Sequence, residues 1–158
     1  MYHFPFLHES CGITVDDNHI QPLYKHIINI ENPTMALIGI PFNVCAFQMF
    51  DLQARFFVST LNGTMPLPSK EQMREDTRRD VAERLSKGYT KRQLHMMGTY
   101  QRAYYGELAR LADTTHIPEV IVKIREASDT RFIEDLVNFR EDTYKVLDDM
   151  NFTYSYYE

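Results

Sequence analysis

Five polar side chains, Gln48, Asp51, Arg55, Ser59 and Asn62, fall on one line of an otherwise apolar segment, with Gln53 standing off that line. From Phe47 onward, Phe47, Phe50, Ala54, Phe57, Val58 and Leu61 recur at helical spacing. Met49, Leu52 and Phe56 widen the apolar stripe onto a second face, which predicts a buried helix. A polar line on a buried helix must be satisfied by other protein groups or by a ligand. Asp51 and Arg55 stand four residues apart, so they can pair with each other, or the guanidinium fork can grip an anion. Around Cys45–Gln48 the helix start offers N–H groups without intrahelical partners and the positive end of the dipole. An anion or a carbonyl oxygen is favoured there.

Bond-breaking machinery is not legible. No G-x-G-x-x-G, P-loop or G-x-S-x-G motif occurs, so neither a self-contained phosphate cradle nor a recognisable nucleophile is present. The histidines (His3, His8, His19, His26, His95, His116) include no H-E-x-x-H, and Cys11 and Cys45 form no C-x-x-C, so no metal site is expected. Arg74, Arg78, Arg79, Arg84 and Lys87 are interleaved with Glu71, Glu75, Asp76, Asp80 and Glu83, the mark of a solvated helix rather than a phosphate-binding face. Tyr100, Tyr104 and Tyr105 at helical spacing read as core with hydroxyls at its rim.

Ile13/Val15 and Ile28/Ile30 alternate as strands do, with Asp16-Asp17-Asn18 and Glu31-Asn32-Pro33 as turns. Met35–Ile40 reads as a short strand feeding a Pro-containing turn and then the apolar helix, which stops at Asn62-Gly63. Met65-Pro66-Leu67-Pro68 is a stiff connector and the best internal boundary. Ser69 and Gln72 form a capping-box pattern for a helix running to about Lys87. Further helices are predicted over Thr99–Ala112, around Val120–Ala127, and over Arg131–Leu147 with Phe132, Leu136, Phe139, Val146 and Leu147 inward.

The net charge of −5 argues against a nucleic-acid binder, and 44% hydrophobic residues in a chain of 158 can bury one core. Two cysteines suit a reducing, intracellular compartment. No apolar run reaches the roughly 20 residues needed to span a bilayer. The opening Phe4-Pro5-Phe6-Leu7 looks like core material, as though the chain lacked its beginning.

Six collinear segments, YHFPFL, PLYKHIINIENPTMALIGI, FQMFDLQARF, GTMPLPSKEQM, MGTYQRAYY and FREDTYKVLDD, resemble the C-terminal part of flavin-containing monooxygenases, most of all the insect-type enzymes. That family closes its core with a T-G-Y-x-x-x-F-P-F motif, which Phe4-Pro5-Phe6 completes here while its Thr-Gly-Tyr half and both glycine-rich fingerprints are missing. The resemblance implies a mixed α/β fold: residues 1–64 end an FAD-binding domain, and residues 65–158 form a helical extension. It implies FAD, NADPH and O₂ as reactants, and oxygenation of a small-molecule amine or sulfide. It places Pro41–Gln48 beside the flavin ring and nicotinamide, with Asn43 and Gln48 as polar contacts there, and Gln53 and Arg55 on the NADP side or in structural pairing. Where some relatives carry a Trp in this turn the chain has Val44, so no stacking role is carried over. On this reading the chain is a fragment, inactive alone. A cytoplasmic location is implied, with endoplasmic-reticulum membrane association and homo-oligomerisation left open. A second reading, a non-catalytic helical module pairing with another protein, rests on the apolar start and the strand edges.

Overall fold

Asp17 and Asn18 turn the first ribbon. Both sit at positive φ (44° and 69°), the conformation a two-residue hairpin needs, and they join β1 (Thr14–Asp16) to antiparallel β2 (His19–Gln21). A second ribbon pairs β3 (Leu23–Tyr24) with β4 (Ile28–Asn29), turning through Lys25 and His26, again at positive φ. The computed structural model describes residues 2–157.

Met35–Ile40 does not form the predicted strand. Ala36 makes one bridge to Ile28, Asn29 N–H donates to the Met35 carbonyl (3.0 Å), and Leu37 N–H donates to the Ile27 carbonyl (2.9 Å). Gly39, at φ +87°, then turns the chain before a longer ladder can grow, and Pro41 offers no donor to extend it.

The apolar helix forms as expected: α1 spans Ala46–Leu61, with Asn62 as its cap and Gly63 following at φ +78°. Its burial is narrower than the pattern predicts. Met49, Leu52, Gln53 and Phe56 are buried, whereas Phe47 is 82% exposed and Val58 and Leu61 are exposed too. One face packs on the rest of the chain, and the other has no cover among the described residues.

Helix α2 (Lys70–Ser86) carries the expected capping box, with Ser69 Oγ accepting from Gln72 N–H (3.2 Å) and Gln72 Oε1 accepting from Ser69 N–H (2.9 Å). Its outer face is laced with pairs such as Arg78–Glu75 and Lys87–Glu83, the solvated mixed-charge surface the sequence implies. A short turn at Gly98–Tyr100 leads into α3 (Gln101–Leu111).

The last segment differs from expectation. Helix α4 runs over Glu119–Glu134, and the predicted helix does not continue beyond it: residues 135–142 lead into a hairpin of β5 (Thr143–Val146) and β6 (Phe152–Ser155). Asp135 stops α4 by accepting Asn138 N–H (3.2 Å), while Arg131 reaches across to Asp142 (2.8 Å). Asp148 then closes the hairpin by accepting the amides of Met150 and Asn151, both at 2.8 Å. Phe132, Leu136, Val146 and Leu147, expected inward, are exposed.

One main core joins Ile27, Ile28 and Ile30 to Phe56 of α1, Met73 of α2, Leu108 of α3 and Val122 of α4. A smaller cluster of Ile20, Leu23 and Ile40 takes in Tyr2 and Phe4, so the opening is core material only in part: Pro5 is exposed and Phe6 is 77% exposed. No helix among the described residues is long and apolar enough to cross a membrane.

Candidate functional site

The start of α1 is presented rather than covered. Cys45 stands at its N-cap with no side-chain cap, so the first-turn N–H groups have no intrahelical partner and carry the positive end of the dipole. Exposed Phe42 and Phe47 flank this end, and the Phe47 ring meets Phe50 edge-on at 6.3 Å. Residues 42–43 are held from behind by a parallel bridge to Met96: Phe42 N–H donates to the His95 carbonyl (3.2 Å), Met97 N–H to Phe42 (3.0 Å), and Gly98 N–H to Asn43 (3.0 Å). The turn before it is equally constrained. A Cβ on Gly39 would lie 2.9 Å from the Phe50 ring, at a φ that L residues avoid. Gly39→Ala is therefore expected to cost about 2 kcal/mol, read by urea denaturation.

The four sequence candidates separate into two pairs. Asn43 is exposed, at φ +57°, with Oδ1 accepting from Arg125 of α4 at 3.3 Å, and Gln48 lies half-buried in the first turn of α1. Gln53 and Arg55 are instead engaged by other groups of the chain. Gln53 is fully buried: its Oε1 accepts from Gly39 N–H (2.8 Å), and its Nε2 donates to Tyr104 Oη (2.7 Å), which donates to the Lys25 carbonyl (2.9 Å). Arg55 pairs with Asp51 (2.9 Å) and donates to Thr114 Oγ1 (2.8 Å) and the Thr115 carbonyl (2.7 Å). The i,i+4 pairing that the sequence allowed is thus realised. Gln53→Ala would strand the Gly39 amide, remove the donor to the Tyr104 hydroxyl and open a cavity, for an expected loss of about 2–4 kcal/mol, measured by the same denaturation. Burial without ionisation also pushes the Tyr104 hydroxyl far above its ordinary pKa.

Arg125, beside Asn43 and paired with Asp129, was not legible in the sequence as part of this end. Nor was a second constellation. A cleft of about 500 Å³ between the ribbons, α2 and α3 gathers His19, His26, His95, Asp80 and Arg84. Burial, followed by neighbouring charge, lowers His19 to about 4 and His95 to about 2. Burial alone would raise Asp80, but hydrogen bonding and charge from His26 and Arg84 bring it down to about 2. Three histidines spread over more than seventy positions give no spacing motif, which is why the sequence hid them. Among the described residues, no group has the arrangement of a metal centre.

Comparisons with known proteins point one way. A family model described as FMO-like, flavin-binding monooxygenase-like, matches residues 1–128. The flavin-containing monooxygenase FMO GS-OX-like 4 of Arabidopsis thaliana is 40% identical over 109 residues, 68% of this chain and 24% of that protein. Senecionine N-oxygenase of Tyria jacobaeae is 30% identical over 158 residues, covering 98% of this chain and 34% of that protein. Among solved structures, S-allyl-L-cysteine S-oxygenase from Allium sativum superposes with a TM-score of 0.78 at 29% identity over 89% of this chain and 32% of that one. Tmm from Pelagibacter sp. strain HTCC7211 follows at a TM-score of 0.71 and 26% identity. The chain spans about a quarter to a third of the length of the relatives it matches.

Proposed function

The chain belongs to the flavin-binding monooxygenase-like family, and on that premise we propose that it forms the flavin-facing C-terminal part of an enzyme that uses FAD, NADPH and O₂ to oxygenate a soft nitrogen or sulfur in a small molecule. Relatives named as an N-oxygenase and an S-oxygenase support this reaction class. They do not favour the alternative of a non-catalytic interaction module. In this reading residues 1–64 finish the FAD-binding domain, and residues 65–158 clasp it from outside.

The single observation that carries the reading is the uncapped start of α1, held between Asn43 and Phe47 and braced from behind by residues 95–98. Its groups fit a flavin ring: the free N–H groups suit a carbonyl or anionic ring edge, and Phe42 and Phe47 supply apolar cover. They do not fit the phosphates, for which the chain offers no glycine-rich cradle. FAD, when bound, would supply the redox chemistry by which NADPH and O₂ oxygenate the substrate. The chain's own part is positioning. Asn43 and Gln48 would hold polar edges of the ring system, while Gln53 fixes the turn at Gly39 and Arg55 ties α1 to residues 114–115. The aromatic rim keeps water from the reacting face.

The 158-residue chain alone is expected not to retain FAD, and flavin absorbance co-purifying with it would refute that expectation. The reaction class is tested in a hybrid, with this chain replacing the matched third of the Allium S-oxygenase. Bound flavin with NADPH-dependent oxygenation of S-allyl-L-cysteine supports the proposal, with Asn43→Ala lowering flavin retention. A hybrid that melts cooperatively yet holds no flavin contradicts it.

A further inference from the structure

Behind the flavin-facing turn, a single backbone donor fixes where the protons sit on two imidazoles. Ile20 N–H donates to His95 Nε2 at 2.9 Å, so that nitrogen carries a lone pair. A neutral His95 then holds its proton on Nδ1, which lies 2.9 Å from His26 Nδ1. His26 must accept there, leaving its own proton on Nε2, 3.4 Å from the Asp80 carboxylate. The order runs from Ile20 through His95 and His26 to Asp80.

This chain of donors has no room for another proton. Protonating His26 at Nδ1 sets two N–H groups head to head across 2.9 Å, and protonating His95 at Nε2 sets one against the Ile20 amide. Either event breaks a hydrogen bond between elements distant in sequence. The surroundings give little relief. From β2 the His19 ring lies 5.3 Å from His95, from the N-terminal segment the Tyr2 ring lies 6.1 Å away edge-on, and from α3 Tyr104 packs on His26 at 5.8 Å. Asp80 from α2 is already engaged by Arg84 (2.9 Å). Lys25 is neutralised by Asp76 and Glu107, both at 2.7 Å, and Lys91 pairs with Asp16 near His19. Glu83, also on α2, is taken by Lys87, and Arg110 of α3 also lines the cleft.

His95 is also the residue whose carbonyl accepts from Phe42 N–H. We infer that His26 and His95 are positioning residues: their ordered protons clamp residues 94–97 to β2, and through the Phe42–Met96 bridge they hold the Phe42–Asn43 turn, which protonation of the pair releases. The consequence for cofactor contact rests on the flavin-facing reading above; the clamp itself does not. Burial and mutual repulsion hold His19 and His95 neutral near neutrality, in keeping with the clamp.

The test uses the ¹⁵N-labelled full chain without any cofactor. Imidazole nitrogen spectra near neutral pH are expected to show His95 protonated on Nδ1 and His26 on Nε2. On acidification to about pH 5, amide protection of Ile20, Phe42, Met97 and Gly98 is expected to fall together, by about tenfold or more and ahead of that of the α4 amides. His95 protonated on Nε2 overturns the inference, as does loss at Ile20 with Phe42 and Met97 unmoved. Because no flavin is present, failure here leaves the flavin-facing proposal standing, and failure of that proposal leaves this result readable.

Discussion

Replacing Arg84 by alanine is expected to lower the unfolding free energy by about 3 kcal/mol. Arg84 is 2% exposed although it lies on a largely solvated helix. It donates to both Asp80 oxygens (3.1 and 2.9 Å) and to the Met96 carbonyl (2.6 Å), and it stacks over the Tyr100 ring at 4.5 Å. Truncation leaves the Asp80 carboxylate beside His26 without its cation, strands the Met96 carbonyl, and removes the stack. Arg84→Lys keeps the charge but not the planar fork, so it should recover only part of the loss. Urea denaturation of both variants checks the order: wild type, then lysine, then alanine. An alanine variant within about 0.5 kcal/mol of wild type, the range of ordinary surface changes, would mean that the buried guanidinium contributes nothing net.

The second large effect is acid lability that starts unusually early. His19 and His95 have folded-state values of about 4 and about 2, below the roughly 6.5 of an exposed imidazole. Between those limits the unfolded chain binds more protons than the folded one, so stability rises with pH and falls as the solution is acidified. Each histidine contributes up to about 1.4 kcal/mol per pH unit, on the order of 2 kcal/mol at pH 5. Asp80 titrates lower. Its folded value is about 2, so its stabilising contribution is complete above its ordinary carboxylate value and is lost only as pH falls toward 2. A fall of about 4 kcal/mol between pH 7.5 and pH 5 therefore belongs to the histidines. His19→Gln should flatten it by about half, whereas equal stability at the two pH values would contradict the buried, neutral assignment.

Much of the backbone was legible because short-range chemistry decides it. The capping box at Ser69 and Gln72, the Asp17-Asn18 turn and the Gly63 stop are each written in three or four adjacent residues, and each forms as read. The apolar spacing that placed α1 also placed a helix over residues 131–147, and beyond Glu134 it failed. Phe132, Leu136, Val146 and Leu147 keep helical spacing, but Thr143-Tyr144-Lys145-Val146 and Phe152-Thr153-Tyr154-Ser155 are β-branched and aromatic, and Asp148 supplies a turn between them. A period of 3.6 residues cannot be told from chance when strand formers occupy the window.

The site was half legible for a related reason. Helix geometry marked Gln48, Asp51 and Arg55 as a line, but Gln53, set aside as off that line, proved to be the buried one. Which polar residue is buried depends on what packs against the helix, and Tyr104 is 51 positions away. Arg84 and the three histidines were hidden in the same way. Their partners are supplied by the tertiary fold, and their own residue types read as surface.

The central claim is that residues 42–48, at the start of α1, form the surface that meets the flavin ring. Titrating riboflavin, a flavin without the phosphates, into the ¹⁵N-labelled chain tests it most directly. The account predicts amide shifts confined to Phe42, Asn43 and the first turn of α1, weakened by Asn43→Ala. Shifts centred on the histidine cleft, or none anywhere, would contradict it.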